Sequence, residues 1–362
     1  MKKHHHFIVL FLLFTIPCPA QTQTKEFTNR NVNIDPVPGS CTIFSASNGD
    51  QVLFGNNEDY NDPKTYFWTE PAGNENYGAV YVGYENYSYQ GGINDKGLCF
   101  DANALPGSKL NPDPELAEPP FYRAPYDNYP IWTPVLILRK AADVEEAIKI
   151  ASKYQRKNWY PKSGYLEYQI NLADAKGDAV VISVDGKGEL AFTRKKKGEK
   201  YLVSTNFNRA NPKNAFDYPC RRYIKAVGML ERLNKEKDLS VDYFKSILDS
   251  THVEGSINNT LYSNIFDLKK GIIYLYYWHQ FDEVVVLNVN EELAKGKITV
   301  RMKDLFSQAT VDKASKEYKG RIFLICIGII AGIGIIAGST RYYKNHKQKY
   351  RPPNKNSYES AG

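Results

Sequence analysis

Residues 322–338 are seventeen consecutive positions of Ile, Leu, Phe, Ala, Gly and one Cys without a charge, and this run constrains the chain more than any other. Spanning the hydrocarbon of a bilayer takes about 20 helical residues, and Ser339 and Thr340 bring the run to that length. Little sequence follows Arg341 to cover such a helix in a soluble core, so a transmembrane helix is expected over 322–340. At the other end, Lys2 and Lys3 precede an apolar run from Phe7 to Ile16 and then Pro17-Cys18-Pro19-Ala20, the layout of a signal peptide over residues 1–20. Thr15-Ile16-Pro17 before Cys18 fits a lipoprotein signal poorly, and His4 to His6 belong to this start and are given no metal role. An exported chain stopped by its C-terminal helix leaves the basic tail, 341–362, in the cytoplasm. The expected localisation is therefore outside the cytoplasm, tethered by a single membrane pass.

The net charge is +7. Lys2 and Lys3 supply two of these charges and the tail from Arg341 five, so residues 4–340 carry 39 basic and 39 acidic side chains. A neutral body has no field to attract a phosphate backbone, so nucleic acid is not an expected partner. Of the five cysteines, Cys18 leaves with the signal and Cys326 lies in the apolar run. Cys41, Cys99 and Cys220 remain, an odd number that leaves one thiol unpaired, and too few for a disulfide framework.

Between the ends, apolar runs alternate with turn residues. Cys41 to Ser47 and Gln51 to Asn57 flank Asn48-Gly49-Asp50, a strong hairpin pattern. Further strands are expected at 79–84, 87–93, 98–104, 165–172, 179–184, 189–193, 201–205, 260–266, 272–277 and 283–288. Val144, Ala147, Ile148 and Ala151 recur at helical spacing over 143–154. Ile224, Val227 and Leu230 mark a second helix, and Ser240 can cap a third from Val241. Strand blocks separated by helix pairs predict an α+β fold with antiparallel sheets.

The chemistry is narrowed by elimination. Between the signal and the apolar run the only histidines are His252 and His279, with no carboxylate or second His at metal-ligand spacing, which disfavours a zinc site and a Ser-His-Asp or Cys-His triad. There is no Gly-x-Ser-x-Gly, phosphate-binding Gly loop or dinucleotide fingerprint. A nucleophile works without histidine if it stands at a mature N-terminus, because its α-amine, with a pKa of roughly 7.7–8.0, is a base of suitable strength. Cys41 opens a strand after Pro38-Gly39-Ser40 and suits this role; taken in isolation it reads better as a buried strand cysteine.

The blocks around it resemble the N-terminal-nucleophile hydrolases of linear amides: the choloylglycine hydrolases, penicillin V acylases and acid-ceramidase-like amidases. Cys41-Thr42-Ile43-Phe44 followed by Leu53-Phe54-Gly55-Asn56-Asn57-Glu58-Asp59 is similar to that family's opening hairpin with its Gly-Arg-Asn-x-Asp run. Gly92-Ile93-Asn94-Asp95-Lys96-Gly97-Leu98 resembles its Gly-x-Asn-Glu-Lys-Gly-Leu turn. Val203-Ser204-Thr205-Asn206, Arg222, and Thr260-Leu261-Tyr262-Ser263 with Asp267 and Tyr274 follow in the family's order. Two positions depart from it. Asn56 stands where the family has Arg, and strict spacing from Gly97 puts Ala104, with Asn103 one residue away, at the first oxyanion asparagine.

The resemblance implies a four-layer αββα sandwich over 41–310, a pro-segment over 21–40 and a linker over 311–321. It implies a hydrolase of linear C–N bonds in N-acyl compounds (N-acyl amino acids, conjugated bile acids or penicillin-type amides) with no cofactor or metal. Its catalytic residues would be Cys41 as nucleophile, Asp59 on its amine, Asn206 and Asn103 as oxyanion donors, and Arg222 tuning the thiol. Asn56, Tyr60 and Trp68 would contact substrate, with Tyr66, Phe67 and the aromatic stretch 121–132 forming an apolar cleft or, equally, sheet-face packing. The expected partners are a small acyl amide and the membrane, with a homo-oligomer left open. Two alternatives are a membrane-tethered binding protein that has kept the fold without the reaction, and an acyltransferase of the same fold.

Overall fold

A computed structural model describes residues 41–84, 88–111, 113, 115–117, 133–154, 165–212, 218–233, 239–255 and 258–349. The expected signal and pro-segment, the aromatic stretch 121–132 and the end of the basic tail lie outside the described residues.

The opening hairpin pairs β1 (Thr42–Asn48) with β2 (Gln51–Tyr60) in the register Asn48↔Gln51 to Thr42↔Asn57. The strands that follow are β3 (Thr65–Glu70), β4 (Ala79–Tyr84), β5 (Ser88–Asn94) and β6 (Cys99–Lys109). Gly97, in the turn between β5 and β6, has φ +80°, and a Cβ there would lie 2.3 Å from the carbonyl of Leu268; only glycine fits. Helices α1 (Thr133–Lys140) and α2 (Val144–Lys153) come next, the second capped by Asp143, which accepts from the Glu146 amide. Strands β7 (Tyr165–Ala173), β8 (Ala179–Val184), β9 (Leu190–Arg194) and β10 (Tyr201–Ser204) lead to α3 (Arg221–Leu230) and α4 (Val241–Thr251). Ser240 caps α4 through the Tyr243 amide, as its sequence predicts. The chain closes with β11 (Asn259–Asp267), β12 (Ile272–Tyr277), β13 (Gln280–Asn288), α5 (Val289–Ala294), β14 (Thr299–Arg301) and α6 (Gln308–Lys349).

Two antiparallel sheets result, a six-stranded one in the order β10-β1-β2-β11-β12-β13 and an eight-stranded one in the order β14-β3-β4-β5-β6-β7-β8-β9. Alternation along each strand sends side chains to opposite faces, and three apolar layers follow. Ile43, Phe54, Phe266 and Leu275 of the first sheet meet Phe67, Val82, Ile93 and Val181 of the second. Tyr81, Phe100 and Ile170 face α1 and α2, while Phe44, Leu53 and Ile265 face α3 and α4. The layers run helix, sheet, sheet, helix: the strand and helix blocks predict the mixed fold with antiparallel sheets, and the resemblance implies the four layers.

The structure adds to the sequence reading at three points. β3 carries Tyr66, Phe67 and Trp68 at strand alternation, so the run that suggested a cleft wall is a sheet strand. The expected linker, 311–321, is helical and continuous with the apolar run, because Gln308 to Lys349 contains no helix-breaking Pro. Cys99 and Cys220, whose pairing the sequence left open, are both free thiols. Helix α6 is long and apolar enough to cross a membrane, and its most apolar window is unburied.

Candidate active site

Cys41 immediately precedes β1, and the pairing Ile43↔Ser204 carried two residues further sets it beside Asn206. On β2, pairing with β1 and β11 brings Glu58 and Asp59 to the same end of the sheet. A bulge between Thr260 and Tyr262 of β11 lets Thr260 face Asp59 while Tyr262 faces Glu58; such bulges re-aim side chains. The site therefore has two sides, one on each face of the six-stranded sheet.

On the helix-facing side, Arg222 from the first turn of α3 joins three strand ends. Its Nη1 donates to the Cys41 carbonyl at 2.7 Å and to Thr42 Oγ1 at 3.0 Å, and its Nη2 donates to Asn206 Oδ1 at 3.1 Å. Asp59, 1% exposed, lies 4.0 Å from the same guanidinium and accepts from the Thr260 hydroxyl. Asn206 in turn donates to the Ala104 carbonyl of the second sheet at 2.9 Å. One planar, five-donor group thus orients Cys41, Asp59 and Asn206 together, a geometry that lysine would not reproduce.

On the inter-sheet side, Cys41 is 3% exposed; the β1–β2 register carried one residue past Thr42↔Asn57 sets it opposite Glu58, and the Asp59 amide favours its thiolate. Burial, with the charges of Glu58 and Asp59, pushes the thiol well up. Glu58 accepts from the Tyr84 hydroxyl at 2.6 Å and from Asn56 Nδ2 at 3.3 Å. Burial raises its carboxyl to about 7, against the lowering effect of those hydrogen bonds. Asp101 on β6 faces the same space and is raised by burial and by Glu58. Gly91, its neighbour across β5 and β6, makes the space available: a Cβ there would stand 2.3 Å from Asp101 Oδ2.

The expected residues Cys41, Asp59, Asn206 and Arg222 come together. Asn103 is buried between the sheets, where Oδ1 accepts from Ser204 and from Asn171 Nδ2, while Nδ2 has no hydrogen-bond acceptor among the described residues. Asn56 packs under Glu58 and Asp101. Tyr60, 40% exposed, lays its ring on Tyr84 at 4.7 Å. Trp68 does not join them: it is 2% exposed, on the face of the eight-stranded sheet turned toward α1, beside Tyr66 and Tyr89. It is a core residue, sent there by strand alternation from Phe67. Sequence reasoning missed Glu58, Asp101, Tyr84 and Tyr262. Glu58 had a signal, since a second carboxylate next to Asp59 in a strand buried from Val52 to Asp59 is an unusual choice.

The sequence reading also finds no carboxylate or second histidine at metal-ligand spacing from His252 and His279. The fold stacks their rings, 5.4 Å apart at 7°, with His252 Nε2 3.0 Å from Glu254 and His279 Nε2 3.2 Å from Glu317. Ligand atoms of Glu254, His279 and Glu317 lie within 4.8 Å of one another. Arg321 pairs with Glu317 and lies 3.8 Å from Glu254, so the chain supplies a cation to this cluster itself.

The fold is that of two solved enzyme groups. Over 72% of this chain and 96% of the other, it superposes on a mutant of conjugated bile acid hydrolase from Clostridium perfringens with a TM-score of 0.53 and 16% identity. Over 70% of this chain and 87% of the other, it superposes on penicillin V acylase from Agrobacterium tumefaciens with a TM-score of 0.51 and 15% identity. A second variant of the Clostridium enzyme gives the same values as the first. No protein-family model matches the chain, and no curated protein sequence does. The chain thus resembles the N-terminal-nucleophile hydrolases of linear amides in architecture, as its motifs do in order.

Proposed function

We propose that the chain is a cysteine-nucleophile hydrolase of linear amide bonds, active once the residues before Cys41 are removed. The observation that carries this reading is the single Arg222 guanidinium that holds the Cys41 carbonyl, Asp59 and Asn206 at one sheet end. The Cys41 thiol attacks the acyl carbon, its freed α-amine acts as base, and Asp59 holds that amine. Asn206 and Asn103 donate to the oxyanion, each such donor being worth about 2.7–4 kcal/mol. Water then releases the acyl group from the thioester. N-acyl amino acids, conjugated bile acids and penicillin-type amides are the substrate classes proposed, with Tyr60 at the entrance. Export and anchoring through α6 complete the reading and place the site outside the cytoplasm.

A panel of acyl amides assayed with wild type and Cys41→Ala tests it: hydrolysis by wild type and none by the variant is expected, and equal rates would contradict it. The second reading, a binding protein that has lost the reaction, is favoured by one observation: Asn56, in place of the family Arg, leaves Glu58 and Asp101 without a cation at that position. Correctly processed protein that binds an acyl amide without turning it over would support that reading.

A further inference from the structure

Three carboxylates, Glu58, Asp59 and Asp101, are buried around Cys41. Asp59 has Arg222 beside it, whereas strand alternation turns Glu58 to the opposite face, where the β1–β2 register sets it across from Cys41. Buried carboxylates are rarely kept without a partner or a task, and the amide hydrolysis proposed above assigns Glu58 none.

We propose that Glu58 is the base that starts removal of the residues preceding Cys41. The proposal rests on the reading of Cys41 as an N-terminal nucleophile and answers a difficulty within it. Until the Ser40–Cys41 bond is cut, the Cys41 nitrogen is an amide and cannot act as a base, so the thiol must give its proton to another group. Glu58 is the buried carboxylate that the β1–β2 register places opposite Cys41, on the same face. The carboxylate takes the Sγ proton and the sulfur bonds to the Ser40 carbonyl carbon. The Ser40–Cys41 C–N bond then breaks, and the departing nitrogen takes the proton back from Glu58. The products are a Ser40 thioester on Sγ and a free amine on Cys41. Water adds to the thioester carbon, the C–S bond breaks, one water proton returns to sulfur, and Ser40 leaves as a carboxylic acid that ionises into solvent. No oxidant, metal or co-reactant is consumed.

The surroundings fit a proton carrier. With its carboxyl raised to about 7, Glu58 is present in both charge states near neutral pH, as general acid–base work requires. An arginine at position 56 would pair with Glu58 and hold it ionised; Asn56 only hydrogen-bonds to it at 3.3 Å. The departure from the family pattern at 56 and the acid at 58 are thus one arrangement. Cleavage also changes the role of Glu58: a charged amine on Cys41 lowers the basicity of the carboxylate, and the neutral form of that amine becomes the base for substrates.

The test uses the full chain purified in detergent at pH 5.5, jumped to values between 6 and 8.5, with the released N-terminal piece followed by mass spectrometry. Wild-type cleavage should accelerate with pH about a midpoint near 7, and Glu58→Gln should slow it by about 100-fold or more. Tyr84→Phe removes a hydrogen bond that favours the ionised carboxylate, so it should move the midpoint to higher pH, which a merely structural Glu58 would not do. Glu58→Gln cleaving at the wild-type rate, or folded Tyr84→Phe with an unmoved midpoint, overturns the proposal. If Glu58→Gln does not fold, the Tyr84→Phe midpoint decides. Wild type that hydrolyses acyl amides yet never cleaves before Cys41 instead contradicts the underlying reading, and the proposal with it.

Discussion

Arg222 on α3 donates to the main-chain carbonyl of Cys41 at 2.7 Å, across a sequence separation of 181 residues. This one bond ties the helix layer to the start of the first strand and fixes where the thiol emerges. It also leaves the guanidinium 4.0 Å from Asp59, so the same group compensates a buried acid.

Arg222→Ala should therefore destabilise the fold by about 3–5 kcal/mol, the cost of leaving a buried charge unpaired, and abolish processing. Arg222→Lys should recover part of the stability but little of the processing, because one ammonium cannot serve Cys41, Thr42 and Asn206 together. Urea denaturation and N-terminal mass measure the two effects.

Stability should fall as pH rises through neutrality. Glu58 is held near 7 against an ordinary value of 4.5, and Asp101 is raised too, so the folded chain binds more protons than the unfolded one between these values. That contribution is full below about 4.5 and is lost as pH passes 7, a change of about 3 kcal/mol for Glu58 alone. Thermal melting of Cys41→Ala, which cannot process itself, should show the fall, and adding Glu58→Gln should flatten it.

Cys41, Asp59, Asn206 and Arg222 were legible through the order of motifs that resembles the family, and the short β1–β2 hairpin alone fixes where Cys41 and Asp59 lie relative to each other. The partition of faces was not legible in the aromatic run, where Phe67 enters the inter-sheet core and Trp68 the layer under α1. Nor was the charge effect of Glu58 on Asp101, which depends on two sheets packing face to face and on Gly91 leaving room. The stacking of His252 on His279 escaped for the same reason, since one follows α4 and the other lies in the turn from β12 to β13.

Trp68→Ala should act as a core deletion, costing about 3–5 kcal/mol with KM unchanged in the protein that remains folded. Tyr60→Ala, at the exposed end of β2, should raise KM with little loss of stability. Melting curves beside steady-state kinetics separate the two.

Cys99 and Cys220 are buried free thiols in different layers, the first between the sheets and the second at the start of α3 near Thr205 Oγ1 at 3.2 Å. Replacing both by Ala should lower stability by about 1–2 kcal/mol and leave turnover intact; folded protein without turnover would move the nucleophile to one of them.

The most direct measurement is the N-terminal residue of the purified, active protein, read by intact mass or peptide sequencing beside Cys41→Ala. The predicted result is a chain that begins at Cys41 in wild type and keeps the preceding residues in the variant. Active wild-type protein beginning at Gln21, or a Cys41→Ala chain cut at the same place, would contradict it.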